Sequence, residues 1–246
     1  MFPIAATQIR AMPVPTAAEA ATLTACLSPS ERRLMTNYRH ERRRSEFVGG
    51  RLALKRALLE TQDSAVRIGT PAPLSDAFLP AAQRMQILPD RAGRPELWVE
   101  NAVVPTQLSI THAAGWVAAA CSYRPIGVDI VDINAPTGVP DDLPWFASVA
   151  PGSRARLRTL IWGLHECLLK ADGISERTVW SLNGVQTVPA CPAHKILARW
   201  PQPSGLAHLE IEVENRLLDG AFMSLSRSAL MVVILLPDRG RLEVHK

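Results

Sequence analysis

Residues 162–173 read WGLHECLLKADG and residues 126–133 read IGVDIVDI, and these two stretches decide the fold. The first belongs to a segment from Leu157 to Asp172 whose apolar residues recur three or four apart, the spacing of one buried helical stripe. Gly173 is a typical residue at a helix end. The second stretch is a short apolar run, which indicates a buried strand. Together they predict an α/β protein, α+β in the broader sense.

The predicted helix also has an informative polar face. Trp162, Glu166 and Lys170 are spaced four residues apart and therefore stack along one side, with His165 beside them. In the apolar strand, an ionised Asp129 is costly unless it is paired, hydrogen-bonded or bound to a metal. Glu166 is the obvious partner, and two carboxylates favour Mg²⁺, which also takes substrate phosphates and waters. The pattern indicates a substrate that contains a diphosphate.

Each of these residues also has a purely structural interpretation. Asp129 could cap the turn that follows its strand, and Glu166 could form an ordinary i, i+4 pair with Lys170. His112, taken by itself, is more typical of a core or turn histidine than of a ligand contact. For single residues the structural interpretation is favoured, and only the order of several segments together indicates a functional site.

A basic segment precedes these motifs. Residues 41–61 are predicted to form an amphipathic helix whose polar side carries Arg44, Arg51 and Lys55. This concentration of charge indicates the phosphates of a small ligand or an acidic protein partner. Nucleic acid is a weaker interpretation, because no nucleic-acid motif accompanies the arginines. A solvated helix face is the structural alternative.

The remaining turns and strands indicate two halves. The sequence predicts a turn at Asp90–Glu96 and strands at 107–122 and 125–133, joined by a hairpin-like connection. We expect halves of similar size, 1–122 and 123–246, with the candidate metal site in the second. Further strand-like stretches, which predict a second sheet, cover residues 178–182, 185–188, 207–213 and 230–236.

Length and composition exclude several classes of protein. With 246 residues, 47% of them hydrophobic, the chain is too apolar to be disordered. The longest apolar run, Ala229–Pro237, is far shorter than the roughly 20 residues that cross a bilayer, so no membrane association is expected. Residues 1–12 lack the features of a secretory signal, and the four cysteines lack CxxC spacing. A cytoplasmic protein without disulfides or zinc is expected.

Five short motifs occur in a fixed order along the chain. They are Gly49-Gly50-Arg51, Gly93-Arg94-Pro95, Ser109-Ile110-Thr111-His112, Gly127-Val128-Asp129 and the helix from Trp162 to Lys170. In this order they resemble the Sfp-type phosphopantetheinyl transferases of the holo-carrier-protein synthase superfamily, and the resemblance covers most of the chain. An upstream segment, Leu27–Arg32, resembles the L-S-x-x-E segment of the same family.

The resemblance implies a particular fold and ligand set. The fold is a pseudo-twofold pair of similar α/β halves, with coenzyme A and Mg²⁺ in the cleft between them. Asp129 and Glu166 are then the metal ligands, and Lys170 reaches the phosphates of coenzyme A. The other residues expected to bind coenzyme A are Arg44, Arg51, Arg94, Thr111 and His112.

The implied activity is Mg²⁺-dependent transfer of the 4′-phosphopantetheine arm of coenzyme A to a serine of an acyl or peptidyl carrier protein. Such carriers serve fatty-acid, polyketide or nonribosomal peptide synthesis. Glu166, His165 and Lys170 are the expected catalytic residues, and a monomer is expected because one chain supplies both halves. The alternatives are an impaired family member that binds carrier protein or coenzyme A without transfer and, third, a nucleic-acid-binding protein.

Two positions depart from the family pattern. Val131 stands where the Sfp-type enzymes have a second acid, and Asp132 points to the other face of the strand and cannot replace it without a bulge. The short holo-carrier-protein synthases, which the run Asp129–Ile133 resembles, use only the aspartate and the helix glutamate. His165 stands where the family has lysine. Because a histidine needs no pKa depression to work near neutrality, either His165 or a metal-bound water is the expected base.

Overall fold

The computed structural model describes residues 7–59, 66–70, 73–139, 146, 149–172, 207–213 and 216–236. The chain divides into two compact units, Met1–Tyr123 and Arg124–Lys246. Both units combine helices with sheets, so the mixed α/β (α+β) class predicted from the sequence is confirmed. In the part of the chain that the structure describes, no helix has the length and apolar character needed to cross a membrane.

The helices are α1 (Ala17–Leu23), α2 (Pro29–Met35), α3 (Glu41–Leu59), α4 (Phe78–Arg84) and α5 (Pro151–Asp172), with a 3-10 turn at Thr24–Cys26. The strands are β1 (Gln8–Pro13), β2 (Val66–Ile68), β3 (Met85–Pro89), β4 (Pro95–Val99), β5 (Ala102–Val103), β6 (Gln107–Ala113), β7 (Trp116–Ser122), β8 (Ile126–Asp132), β9 (Ala207–Val213), β10 (Arg216–Ser224) and β11 (Ala229–Leu235). Within the described ranges they form the sheets β2-β1-β7-β6, β3-β4-β5 and β8-β11-β10-β9.

Helix α3 approaches the sheet β2-β1-β7-β6 closely because two adjacent glycines face it. A side-chain carbon at Gly49 would come within 2.8 Å of Pro15 and 3.2 Å of Val117, and one at Gly50 within 2.9 Å of Ile110. Only glycine allows this distance between helix and sheet. The helix predicted at residues 41–61 is therefore confirmed and is anchored on the sheet by its centre.

The polar side of α3 differs from the sequence-based expectation at Lys55. This side chain is fully buried, and its ammonium donates to Glu31 at 2.6 Å and to the carbonyl oxygens of Cys26 and Ala82 at 2.8 and 2.7 Å. Glu31 also completes a capping box with Ser28 at the start of α2. Lys55 is therefore part of a buried ion pair that joins α2, α3 and α4, and the expected exposure is wrong.

The turn predicted at residues 90–96 is confirmed and joins β3 to β4. The Asp90 side chain accepts hydrogen bonds from the backbone N–H groups of Ala92 and Arg94, each at 2.8 Å. Gly93 has a φ of 83°, a left-handed conformation that favours glycine. This local bonding fixes the position of the Gly93-Arg94-Pro95 motif.

The connection expected between strands 107–122 and 125–133 is wrong. Residues 107–122 are themselves a hairpin, β6 and β7, which reverses at Ala114 and Gly115, with φ values of 48° and 77°. Strand β7 pairs with β1 and β6, whereas β8 pairs with β11 in another sheet. The hydrophobic pattern alone did not reveal this turn, because Ala114 resembles a strand residue.

In the second unit, α5 packs directly against β8 and β11. A side-chain carbon at Gly127 of β8 would overlap the carbonyl oxygen of Cys167. One at Gly163 of α5 would come within 2.6 Å of Val232 and 3.1 Å of Val131. The strands expected at 207–213 and 230–236 are confirmed as β9 and β11, while those expected at 178–182 and 185–188 lie outside the described residues.

Candidate functional site

Asp129 lies in β8, where the packing of α5 against the strand buries its carboxylate. Its side chain is 9% exposed, and Lys170 donates to it at 2.6 Å and to the carbonyl oxygen of Val128 at 3.1 Å. This ion pair satisfies a carboxylate that burial would otherwise make costly. The following turn is capped by Asp132, which accepts from the backbone N–H of Asn134 at 2.9 Å. The interpretation of Asp129 as the turn cap is therefore wrong.

Glu166 lies one helical turn before Lys170 and is half-buried. The neighbouring Cys167 thiol donates to the carbonyl oxygen of Val232, the register partner of Asp129, at 3.2 Å. Burial raises the pKa of Cys167 well above its ordinary value, and the negative charges of Asp129 and Glu166 raise it further, while Lys170 opposes them. The charges of Asp129, Glu166 and Lys170 therefore all lie within electrostatic range of one buried thiol.

Val131 follows Asp129 by two positions and shares its face of the strand, as the alternation of side chains predicts. It is buried and packs towards Gly163 of α5. The position where the Sfp-type enzymes have a second acid is therefore an apolar contact between strand and helix.

His165 lies inside the packing of α5. The residue is 8% exposed, and the centre of its ring is 5.5 Å from that of the half-buried Trp162. Burial lowers the pKa of the imidazole, so the ring is neutral at neutral pH and able to accept a proton. The sequence predicted His165 beside the polar face of the helix, and the structure gives it a more buried position.

The first unit contains a cavity of about 520 Å³. It is lined by α3, the residues that follow α2, the turn of the β3–β4 hairpin and the edge strand β6. Tyr38 and Phe47, whose ring centres lie 5.4 Å apart, supply aromatic surface. The charged residues and the histidine of the lining are Arg43, Glu46, Arg51 and His112.

Arg43 and His112 meet at the wall of this cavity, although 69 residues separate them in the chain. A guanidinium nitrogen of Arg43 lies 3.3 Å from Nε2 and 3.5 Å from Nδ1 of His112. Glu46, whose side chain is only 4% exposed, pairs with Arg43 at 3.0 Å, with Arg42 at 2.9 Å and with His112 at 3.5 Å. We call these four residues the Glu46 cluster; it presents positive and hydrogen-bonding groups suited to an oxyanion.

Two further residues predicted to bind coenzyme A lie at or next to this cavity. Arg51 lines the cavity, and its guanidinium lies 4.5 Å from the centre of the Phe47 ring. Burial lowers the pKa of Arg51, but the guanidinium stays charged. Arg94 lies between two lining residues of the hairpin turn and pairs with Asp90 at 3.1 Å.

The other two residues of the first unit that were predicted to bind coenzyme A are not among the described residues that line the cavity. Arg44 is exposed and donates to the carbonyl oxygen of Tyr38 at 2.8 Å. Thr111 is buried, and because neighbours in a strand point to opposite faces, it lies on the face of β6 opposite His112.

No sequence motif marked Arg43 or Glu46 as a site residue. The spacing of Arg42 and Arg43 from Glu46, four and three residues along a helix, was a visible sign of local ion pairs. Nothing local indicated the contact with His112, because that contact depends on how α3 packs against β6.

No group of three His, Cys, Asp or Glu side chains within the described ranges is arranged to hold a metal ion. Asp129 and Glu166, the metal ligands expected from the sequence, are two carboxylates, and the ammonium of Lys170 lies 2.6 Å from Asp129. A comparison of the chain with models of known protein families and with curated proteins finds no match.

Proposed function

We propose that this protein is a phosphopantetheinyl transferase of the Sfp type. The observation that carries the proposal is the ion pair of the buried Asp129 with Lys170, with Glu166 one helical turn before Lys170 on the same helix. The proposed fold is the pseudo-twofold pair of α/β halves. It is supported by a shared feature of the two units, a long helix held close to a four-stranded sheet by glycines.

In this proposal Asp129 and Glu166 hold Mg²⁺. Two carboxylates fit this ion, because it takes one or two of them and completes its octahedral shell with waters and substrate phosphates. When bound, the metal neutralises the diphosphate of coenzyme A and polarises the phosphorus under attack. Lys170 uses two of its three N–H donors on Asp129 and Val128 among the described residues, so the third suits a phosphate oxygen.

The nucleotide end of coenzyme A is assigned to the cavity of the first unit. Arg43 and His112 suit a phosphate oxyanion, because they present charged and hydrogen-bonding groups side by side. Arg51 and the rings of Tyr38 and Phe47 suit a flat base nearby.

The transfer makes one bond and breaks one. The carrier serine oxygen attacks the β-phosphorus, the bond from that phosphorus to the bridging oxygen breaks, and adenosine 3′,5′-bisphosphate leaves with the bridging oxygen. His165 is the proposed acceptor of the serine proton, because its lowered pKa keeps it neutral at working pH. The charge of Lys170 stabilises negative charge that develops on the phosphate oxygens.

An acyl or peptidyl carrier protein is the proposed partner of a monomeric enzyme. Carrier recognition by charge is supported by exposed arginines around α2 and α3, which suit an acidic partner. These exposed residues are Arg32, Arg33, Arg39, Arg42, Arg43 and Arg44.

The proposal is tested by the intact mass of an apo carrier protein incubated with this protein, coenzyme A and Mg²⁺. A mass gain of one phosphopantetheine arm is expected, together with release of adenosine 3′,5′-bisphosphate. Neither product should form without Mg²⁺. A carrier of unchanged mass, tested with acyl and peptidyl carriers alike, would refute transfer.

An impaired family member that binds coenzyme A or carrier protein without transfer is the second candidate. It is favoured by two observations, the apolar contact at Val131 and the buried His165 in place of a lysine. Binding of coenzyme A by calorimetry with no change in carrier mass would support this candidate over the first.

A further inference from the structure

The first unit contains a second and larger cavity, of about 950 Å³. It lies between the C-terminal half of α3, the strands β1 and β2, and helix α4. None of its described lining residues lines the cavity that we assign to coenzyme A. Its volume is typical of a small-molecule site, and the proposed transfer reaction makes no use of it.

Three arginines from three different elements line this larger cavity. They are Arg10 of β1, Arg67 of β2 and Arg56 of α3. Arg10 and Arg56 are buried, with exposed fractions of 5% and 7%. Arg10 and Arg67 are register partners in the parallel pair β1–β2, so their side chains leave the sheet on the same face. The described lining residues include no aspartate or glutamate, so positive charge predominates in this part of the wall.

The printed contacts of the arginines act on each side chain separately. Arg10 donates to the carbonyl oxygen of Ile9 at 2.9 Å, and the guanidinium of Arg56 lies 5.5 Å from the centre of the Phe78 ring. Arg56 also lies in the last turn of α3, where a positive charge stabilises the helix. Like charges that converge on one cavity nevertheless repel each other, and a buried guanidinium is costly. An anion in the cavity offsets both costs.

The rest of the wall indicates what kind of anion fits. The hydroxyl groups of Thr70 and Ser75 add hydrogen-bonding capacity. Most of the other described lining residues are apolar, among them Met12, Leu59 and Phe78. An inorganic ion would fill little of this volume and leave the apolar wall uncovered. A ligand with an apolar body and a charged end would use both parts of the wall.

We propose that this cavity binds a small organic dianion, with its oxyanion groups at Arg10, Arg56 and Arg67 and its apolar body against α3 and α4. Guanidinium groups bind carboxylates and phosphates alike through paired N–H donors. Two carboxylates and one phosphate ester supply the same charge, so the dianionic oxyanion is the chemistry that the arginines recognise. Three guanidinium groups favour a dianion over a monoanion, because the second negative charge also has a partner. The inference does not depend on the proposed transferase activity.

The test is calorimetry on the full chain with four probes at constant ionic strength and about pH 8, where a phosphate ester is a dianion. Phenyl phosphate and phthalate are aromatic dianions that represent the two oxyanion types. Benzoate is the matching monoanion, and inorganic phosphate lacks the apolar body. Arg10→Gln and Arg67→Gln remove one charge each from the wall. Arg84→Gln, at an exposed position of α4 outside the cavity lining, is the matched control.

At least one of the two dianions should bind the wild type about tenfold or more tightly than benzoate and inorganic phosphate do. Arg10→Gln is expected to weaken that binding by at least about tenfold, the loss of one charge-assisted hydrogen bond. Arg67→Gln should weaken it by about threefold, because Arg67 is exposed and its charge is screened. Arg84→Gln should match the wild type, and so should Arg43→Gln, because Arg43 lines the other cavity.

Two results would overturn the inference. One is equally weak binding of all four probes by the wild type. The other is a dianion whose affinity falls in Arg43→Gln and is unchanged in Arg67→Gln, because it would then occupy the cavity assigned to coenzyme A. If Arg10→Gln does not fold, the exposed Arg67→Gln decides between these results. Since no carrier protein or coenzyme A is present, failure of the proposed transfer reaction would leave this inference unaffected.

Discussion

Replacing Lys55 by Met is expected to destabilise the first unit strongly. Met has a similar length but no charge, so Glu31 would remain as a fully buried carboxylate with Arg51 at 3.7 Å. Removing one partner of a buried ion pair costs about 3–5 kcal/mol, and each carbonyl left without its donor about 1–3 kcal/mol. The two carbonyls concerned belong to Cys26 and Ala82.

The expected loss is about 4 to 6 kcal/mol in the free energy of unfolding, below the plain sum of these terms. The reason is that Glu31 keeps other donors, the backbone N–H groups of Ser28 at 2.7 Å and Ile87 at 3.2 Å. Such a loss approaches the whole stability of a typical domain, about 5–15 kcal/mol.

Urea unfolding followed by circular dichroism measures this loss. The double variant Glu31→Gln with Lys55→Met should recover part of it, because no buried charge remains. Arg44→Gln, exposed on the same helix, should stay within about 0.5 kcal/mol of wild type. A Lys55→Met variant as stable as the wild type would refute this reasoning.

Three further variants test the proposed sites. His165→Ala should lower kcat/KM about a hundredfold or more and remove the acid limb of the pH profile. In the wild type this limb should lie below the ordinary histidine range, because burial lowers the pKa of His165. Wild-type rates in that variant would assign the base to a metal-bound water. As pH falls, His165 takes up a proton at a higher pH in the unfolded chain than in the folded protein. The wild type should therefore lose stability as pH falls below about 6.5, and His165→Ala should lose less. Urea titrations at several pH values measure both. Gly127→Ala should displace α5, lowering both Tm and transfer, whereas Gly152→Ala, with nothing within 4 Å, should change neither. Arg94→Gln should weaken the binding of coenzyme A and reduce the effect of NaCl on that binding, both measured by calorimetry. Arg84→Gln, at an exposed position in α4, should leave both unchanged.

The helices and strands that carry the site were predictable because their patterns are local. The apolar run at 126–133 and the helical spacing before Gly173 correspond to β8 and α5. The two faces of α5 followed from residue spacing alone. The boundaries were less accurate, and α5 begins at Pro151, ahead of the predicted Leu157.

Contacts between distant segments were not predictable from one sequence. Lys55 resembles any solvated helix lysine, and only the fold brings Glu31 to its ammonium at 2.6 Å. The pairing of Lys170 with Asp129 was open for the same reason, since an i, i+4 pair with Glu166 was equally consistent with the spacing.

Substitution of two neighbouring carboxylates of the second unit tests the central claim most directly. Asp129→Asn and Asp132→Asn remove the same charge from one strand, but only Asp129 belongs to the proposed metal site. Asn at 132 can still accept the hydrogen bond from Asn134, so that turn is retained. The measurement is the carrier mass gained per minute at increasing Mg²⁺ with saturating coenzyme A. Transfer by Asp132→Asn at the wild-type rate and loss of transfer by a folded Asp129→Asn are expected, whereas full Mg²⁺-dependent activity in Asp129→Asn would contradict the account.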